Sequence, residues 1–516
     1  MQIRCVLAVA AVIFAFATPA LSQALPNLTS LRVRYNTQKN SAKPAGELKA
    51  RLEQLDRAVA DATRLGRTGE LRRLFAEGLA LLAGRPWTET DDFQASLALR
   101  TQAVVLDSSQ PQTVRLEQIF ASSMVLERPL HAVASLRPIV TPAPSAAPAT
   151  SAPPAAATEL ARFDGLPRDL RESPFAMDLD LSRFADGLHM LTVAVSDGER
   201  PIGAASLRLS LLQGLDTRLR QLEARAGSVA ADVQADLRYP ADFILKINRG
   251  IVERGTFDVA AELLAAEAIA SAALGGRNPF AGRTGGFERH YMLEAASEIM
   301  PYRIHVPRSY DGTRRFPLVV ALHGLGGNED GFMDSFGRTV PSLAEQRGYI
   351  VVSPLGFRPD GFYGVSMPAA PTPTERRKRE LSELDVMEVL RRTRAAYKID
   401  DARIYLMGHS MGAGGTWALG AKYPDIWAAL APLSGWGDPG TMGTMRHIAQ
   451  IVVHGDADPT VNVAESRKMV AALREHGVDH TYIEVAGGDH NNMVVPNLPK
   501  VFDFFDAKRK AAPTRR

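Results

Sequence analysis

The sequence predicts an α/β protein. Its C-terminal part reads as a mostly parallel sheet with helices on both faces, preceded by helical segments and a small β-sandwich-like module. Three observations carry this expectation. From about residue 287, short and wholly apolar runs alternate with helical stretches, as strands buried on both faces of a sheet do. Between residues 88 and 212, segments alternate in polarity with period two and are punctuated by turn dipeptides. Between 46 and 84, apolar residues recur at spacings of three and four, which makes helical stripes.

Composition sets the frame. The 516 residues are 46% hydrophobic and 23% charged, a globular balance that suggests about three domains. Lys and Arg number 60 against 57 Asp and Glu, a net charge of +3, and no concentrated basic face marks a nucleic-acid partner. The single cysteine, Cys5, excludes an internal disulfide framework and a cysteine zinc site. No cofactor and no metal are expected, because the motifs below account for most of the histidines and no glycine-rich phosphate loop stands in a nucleotide-binding context.

Residues 1–22 read as a signal peptide. Arg4 supplies the positive start, Cys5 to Ala17 is an apolar run, and small residues precede Ser22. The run is short for a membrane span of about 20 residues, so cleavage, a periplasmic or secreted mature protein and no membrane span are expected. Residues 23–87 form the helical segment. Leu48, Leu52, Leu55, Val59, Ala62 and Leu65 make one stripe, Gly66 to Gly69 interrupt it, and Leu71, Leu74, Phe75, Leu79 and Leu82 make a second. Two antiparallel helices would bury these stripes against each other.

In the sandwich module, 88–212, the strand-like segments are Phe93–Asp107, Thr113–Phe120, Phe175–Leu181, Leu188–Val195 and Ala204–Leu211, with turns at Asp186-Gly187 and Asp197-Gly198. The Pro/Ala/Ser-rich stretch 138–154 cannot build a core and reads as a long loop within the module. Residues 213–280 read as a helical connector, and 281–510 as the catalytic domain. Strands are expected there at Tyr302–Val306, Pro317–Leu322, Tyr349–Ser353, Ile404–Met407, Ala428–Leu433 and Ile451–His454, with a helix over Glu380–Tyr397.

Chemistry concentrates in four places. Gly408-His409-Ser410-Met411-Gly412 follows a strand and opens a helix, so Ser410 would stand on a tight turn that only flanking glycines permit. A serine nucleophile needs a base, and the base an orienting acid. Strand Ile451–His454 ends in a loop holding Asp456 and Asp458, which spacing alone does not separate as the acid. His490, in Gly487-Gly488-Asp489-His490 after the last strand, is the expected general base and acid. His323-Gly324-Leu325-Gly326-Gly327 exposes backbone N–H groups, and those of Leu325 and Met411 are assigned as the oxyanion hole. His323, His409 and His454 are expected to support turns.

On FPLVVALHGLGGN (316–328), YKIDDARIYLMGHSMGAGGTWALGAKYPDIWAALAPLSG (397–435), IVVHGDADPTV (451–461) and GGDH (487–490), residues 287–510 resemble the α/β-hydrolase superfamily. Within it they are similar to secreted or periplasmic carboxylesterases of the polyhydroxybutyrate-depolymerase, feruloyl-esterase and phospholipase/carboxylesterase type. The resemblance covers less than half of the chain. It implies that Asp458, the aspartate before proline, is the triad acid, and that the module at 88–212 is immunoglobulin-like. The loop from Pro354 to about Glu380, with Phe357, Tyr363 and Met367, is expected to shape the substrate pocket, with Tyr363 and Trp436 as walls and the charge run 375–380 as a solvated face. The expected function is an exported serine carboxylic-ester hydrolase that forms an acyl-enzyme on a small or polymeric ester. A serine peptidase of the same fold, or a polymer-binding protein with a secondary hydrolase domain, remains open.

Overall fold

A computed structural model describes residues 28–139, 155–252, 259–365 and 372–510. The expected signal peptide, most of the 138–154 stretch and Met367 lie outside the described residues. The chain divides into two compact units, Met1–Gln221 with Pro240–Ala265, and Leu222–Tyr239 with Ala266–Arg516. Residues 213–280, expected as a helical connector, hold three helices among the described residues. Their helices α5 (Leu215–Ala226), α6 (Ala231–Asn248) and α7 (Val259–Leu274), which follow the elements described next, are shared between the units.

In the first unit, α1 (Leu28–Ala42), α2 (Gly46–Arg64) and α3 (Thr68–Leu82) bury Tyr35, Leu52, Leu55, Leu71, Leu74 and Phe75 in one cluster. The two stripes become α2 and α3. Leu65 falls just past the end of α2 and is exposed. Helix α1 has no comparable apolar stripe, and the sequence reading missed it.

Helix α4 (Glu89–Ser96) corrects the expected strand at Phe93: Thr88 and Asp91 form a capping box that starts a helix where the alternation suggested β-structure. The strands follow as β1 (Leu97–Arg100), β2 (Val105–Asp107), β3 (Gln112–Gln118), β4 (Leu130–Pro138), β5 (Thr158–Leu166), β6 (Phe175–Leu179), β7 (Gly187–Asp197) and β8 (Arg200–Leu212). They form a three-stranded sheet, β1-β3-β6, and a five-stranded sheet, β2-β8-β7-β4-β5. Alternate residues of both sheets, such as Leu116, Leu136, Val193 and Leu209, share one buried core. Strands β4 and β5 pair antiparallel, so the Pro/Ala/Ser-rich stretch connects neighbours in one sheet.

The second unit contains β9 (Gly285–Leu293), β10 (Glu298–Val306), β11 (Phe316–Leu322), α8 (Gly331–Asp334), α9 (Thr339–Arg347), β12 (Ile350–Pro354), α10 (Pro373–Ala396), β13 (Ile399–His409), α11 (Met411–Lys422), β14 (Ala429–Leu433), β15 (Ala449–Gly455), α12 (Ala464–Glu475), β16 (His480–Val485) and α13 (Val494–Asp506). Its eight strands run in the order β16-β15-β14-β13-β11-β12-β10-β9. All pairs from β16 to β12 are parallel, and β10 pairs antiparallel with both β12 and β9. This is an α/β-hydrolase sheet. Strands β11, β12, β14 and β15 are buried along their whole length, which explains their unbroken apolar runs. Helix α10 begins at Pro373, earlier than expected, because Thr372 and Glu375 form a capping box with Pro373 in the first turn.

Helix α11 crosses the sheet at very short range. A Cβ on Gly412 would stand 2.0 Å from the Leu322 carbonyl oxygen, and one on Gly408 would stand 2.1 Å from that of Gly412. Both neighbours are backbone and cannot turn aside. Gly412→Ala should therefore lower stability by about 2–4 kcal/mol. Urea unfolding of the variant and parent measures this, and coincident midpoints would contradict the packing argument.

Candidate active site

The site forms at the carboxyl ends of β11, β13, β15 and β16. Ser410 stands between β13 and α11 with φ 58° and ψ −117°, outside the regions that side chains other than glycine favour. Its N–H donates to the Leu433 carbonyl at 2.9 Å, which fixes the turn to the neighbouring strand β14. The strain holds the hydroxyl at the head of α11, and Ser410 is barely exposed.

The acid and the histidine arrive on two loops locked together. Asp456 N–H donates to the Val485 carbonyl and Ala457 N–H to that of Gly488, both at 3.0 Å. Asp456 Oδ1 accepts the Gly487 N–H at 2.7 Å, and Asp489 Oδ1 accepts those of Asn491 and Asn492 at 2.8 Å. Both carboxylates thus build loops. Asp458 instead faces His490, whose Nδ1–H donates to Asp458 Oδ2 at 2.7 Å. Burial pushes the Asp458 carboxyl up, but His490 and the N–H groups of Val461 and Thr460 outweigh it and hold it below its ordinary range. His409, beside Ser410, donates from Nε2 to the His490 carbonyl at 2.8 Å, and burial lowers its pKa to about 4.

The loop after β11 lies against the serine. A Cβ on Gly324 would be 3.4 Å from Ser410 Cβ. Both ring nitrogens of buried His323 lie 2.7 Å from carbonyl oxygens, those of Gly324 and Leu355, and burial pushes its pKa down. Gly326 N–H donates to the Pro359 carbonyl at 2.8 Å. Leu325, between Gly324 and Gly326 in this loop, is 63% exposed. Met411, at the first position of α11, is buried.

The two expected pocket walls separate. Trp436 is half-buried, with its ring 3.5 Å from where a Gly414 Cβ would lie. Tyr363 is fully buried and offers no surface to a substrate, which corrects its expected place in the wall. Its ring fills the space left by Gly356 and Gly415, and its hydroxyl donates to the His323 carbonyl at 3.3 Å.

Sequence reasoning missed Asp385, which is fully buried on α10. Its Oδ2 accepts the Phe357 N–H at 2.8 Å and its Oδ1 the Tyr291 hydroxyl at 2.5 Å. It thereby anchors the 355–359 loop that holds His323 and Gly326. Only an acid among the buried positions of α10, which also include Glu383, could have signalled it. Among the described residues, Glu288, Glu329 and Asp330 also cluster, and burial with the neighbouring carboxylates pushes Asp330 up to about 7.

Residues 365–502 match the family model PETase, described as PET hydrolase-like. Feruloyl esterase B of Neurospora crassa is 33% identical over 118 residues, which cover 23% of this chain and 38% of that protein. Cutinase 1 of Thermobifida cellulosilytica is 31% identical over 102 residues, covering 20% of this chain and 37% of that protein. The chain thus spans less than two-fifths of the length of these curated relatives. A crystal structure of a thermostable esterase aligns over 80% of this chain and 100% of its own, at 16% identity and a TM-score of 0.39. With the strand order above, the sequence matches identify the C-terminal unit as an α/β-hydrolase. The matched segments are similar to those of a feruloyl esterase and a cutinase.

The Asp385 carboxyl is pushed up to about 6, because burial outweighs its hydrogen bonds from Tyr291, Phe357 and Gly356. A folded-state pKa above the unfolded value of about 3.9 means that the protonated form is favoured in the fold. The associated stability is present below about pH 4 and is lost as pH rises through about 6. Asp385→Asn, an uncharged isostere, removes this titration. The stability of the parent relative to Asp385→Asn should fall by up to about 3 kcal/mol between pH 4 and 7, then level off. Urea unfolding across that range checks it, and a pH-independent difference would contradict it.

Proposed function

We propose that this protein is an exported serine carboxylic-ester hydrolase that works through Ser410, His490 and Asp458. The observation that carries the reading is the 2.7 Å bond from His490 Nδ1–H to buried Asp458, on a loop tied by His409 to the strained turn of Ser410. That bond fixes the tautomer in which Nε2 is the basic nitrogen. Ser410 Oγ attacks the ester carbonyl carbon while His490 Nε2 takes the hydroxyl proton. The N–H groups of Leu325 and Met411 hold the oxyanion. The carbon–oxygen bond to the alcohol then breaks, and His490 returns its proton to the departing alcohol. Water, deprotonated by His490, attacks the acyl-serine, releases the acid and restores Ser410.

The feruloyl esterase and cutinase matches make hydroxycinnamoyl and cutin-type esters the first substrates to try. The proposed layout is a helical segment at 23–87, a sandwich module at 88–212, a helical connector at 213–280 and the catalytic domain at 281–510. The leader-like residues 1–22 support a periplasmic or secreted location. Among the described residues, no helix is long and apolar enough to cross a membrane. A peptidase on the same triad is the second reading, supported only by shared chemistry.

Fluorophosphonate labelling with peptide mapping, beside a panel of p-nitrophenyl esters and peptide amides, tests the reading. Ser410 should carry the label and esters should turn over faster than amides. Ser410→Ala should lose at least about 10³-fold in kcat/KM with an unchanged unfolding midpoint. Asp458→Asn should lose about 10³–10⁴-fold in kcat, whereas Asp456→Asn should stay within about tenfold of the parent. Retained activity in Ser410→Ala would overturn the assignment, and faster amide turnover would favour the peptidase.

A further inference from the structure

The carboxylate of Asp458 has a second imidazole on it. Resting on the triad reading above, we infer that His454 is a positioning residue, which shares Asp458 Oδ2 with His490 and so limits how strongly that carboxylate stabilises a protonated His490. His454 lies near the end of β15, four residues before Asp458, and its side chain is fully buried. Its Nδ1 is 2.7 Å from Ser466 Oγ on α12. Its Nε2 is 3.0 Å from the Val461 carbonyl oxygen and 3.2 Å from Asp458 Oδ2.

These contacts fix one proton. A carbonyl oxygen only accepts, so Nε2 carries a hydrogen. Burial holds the His454 pKa below its ordinary value, against the opposing pull of Val461 and Asp458. That N–H donates to the Val461 carbonyl, and the same nitrogen stands 3.2 Å from Asp458 Oδ2, so the positive edge of the ring lies against the carboxylate. The carboxylate is then surrounded. Oδ1 accepts the N–H groups of Thr460 at 2.7 Å and Val461 at 2.9 Å, and Oδ2 takes His490 at 2.7 Å and His454 at 3.2 Å.

Other titratable groups face this pair. Glu484 is the register partner of His454 on β16, the His409 ring lies 4.7 Å from that of His490, and Asp456 and Asp489 flank the two loops. They stay in place when His454 is changed. A positive ring edge against Oδ2 disperses the negative charge that would otherwise act on His490 alone. Removing that edge favours the protonated base and moves the acid limb of kcat/KM to higher pH.

The test is the pH profile of kcat/KM on a p-nitrophenyl ester, measured on the full chain alongside fluorophosphonate labelling of Ser410. His454→Phe and His454→Asn remove the Nε2–H beside Oδ2, and each should move the acid limb up by about half to one pH unit with labelling retained. His454→Gln, whose amide N–H can reach the same oxygen, should return the limb towards the parent's. If His454→Phe does not fold, the smaller Asn variant carries the test. Acid limbs of the Phe and Asn variants that coincide with the parent's would overturn the inference. So would a Gln limb that stays with theirs. A parent that does not label at Ser410, or an active Ser410→Ala, would instead remove the triad reading itself, so the two failures are told apart.

Discussion

The close passage of α11 over β11 and β13 is the constraint on which the second unit's site depends. Gly412 lets the helix approach the Leu322 backbone, and Gly408 lets the strand turn beneath it. Ser410 is left between them in a conformation that side chains rarely adopt, fixed by one bond to β14. A looser crossing would relax the turn, and the hydroxyl would no longer stand at a defined place before the carboxyl ends of the strands. Strain of this kind persists only where the surroundings over-determine it, and here two neighbouring strands and a buried helix do so.

Around this fixed serine, the other groups are held by backbone hydrogen bonds between loops. The acid and histidine loops pack so closely that a Cβ on Gly455 would stand 2.2 Å from the Gly488 carbonyl oxygen. Asp456 and Asp489 spend their carboxylates on turn N–H groups, which leaves Asp458 free to face two imidazoles. On the other side, Asp385 holds the 355–359 loop, and that loop holds His323 and Gly326. The residues that would touch substrate are few. A larger set of buried polar groups fixes where they stand.

The local signals were legible wherever a single turn demanded particular residue types. Glycines on either side of Ser410, the glycine run after His323 and the Gly-Gly before Asp489 each mark backbone that other residues cannot supply. The buried strands were legible because both their faces are covered. Helix α4 was misread because Phe93 and its neighbours alternate in polarity, while the capping box at Thr88 and Asp91 decides in favour of a helix. Helix α1 offered no stripe to read. Tyr363 was misplaced because an aromatic residue in a long loop looks the same whether it lines a pocket or fills the space above Gly415.

What the sequence by itself determined is the tight turn at Ser410, the chain order of that turn, the Asp456–Asp458 loop and the His490 loop, and the period of the strands and helices that carry them. These are properties of short segments, set by backbone sterics and side-chain periodicity. Only the tertiary structure decided which of two neighbouring aspartates faces His490, that His454 reaches the same carboxylate, and that Asp385 anchors a loop far from it in sequence. Those outcomes depend on where separate loops come to rest after the sheet has formed. A hydrogen bond between groups brought together by folding leaves no period or spacing in the chain.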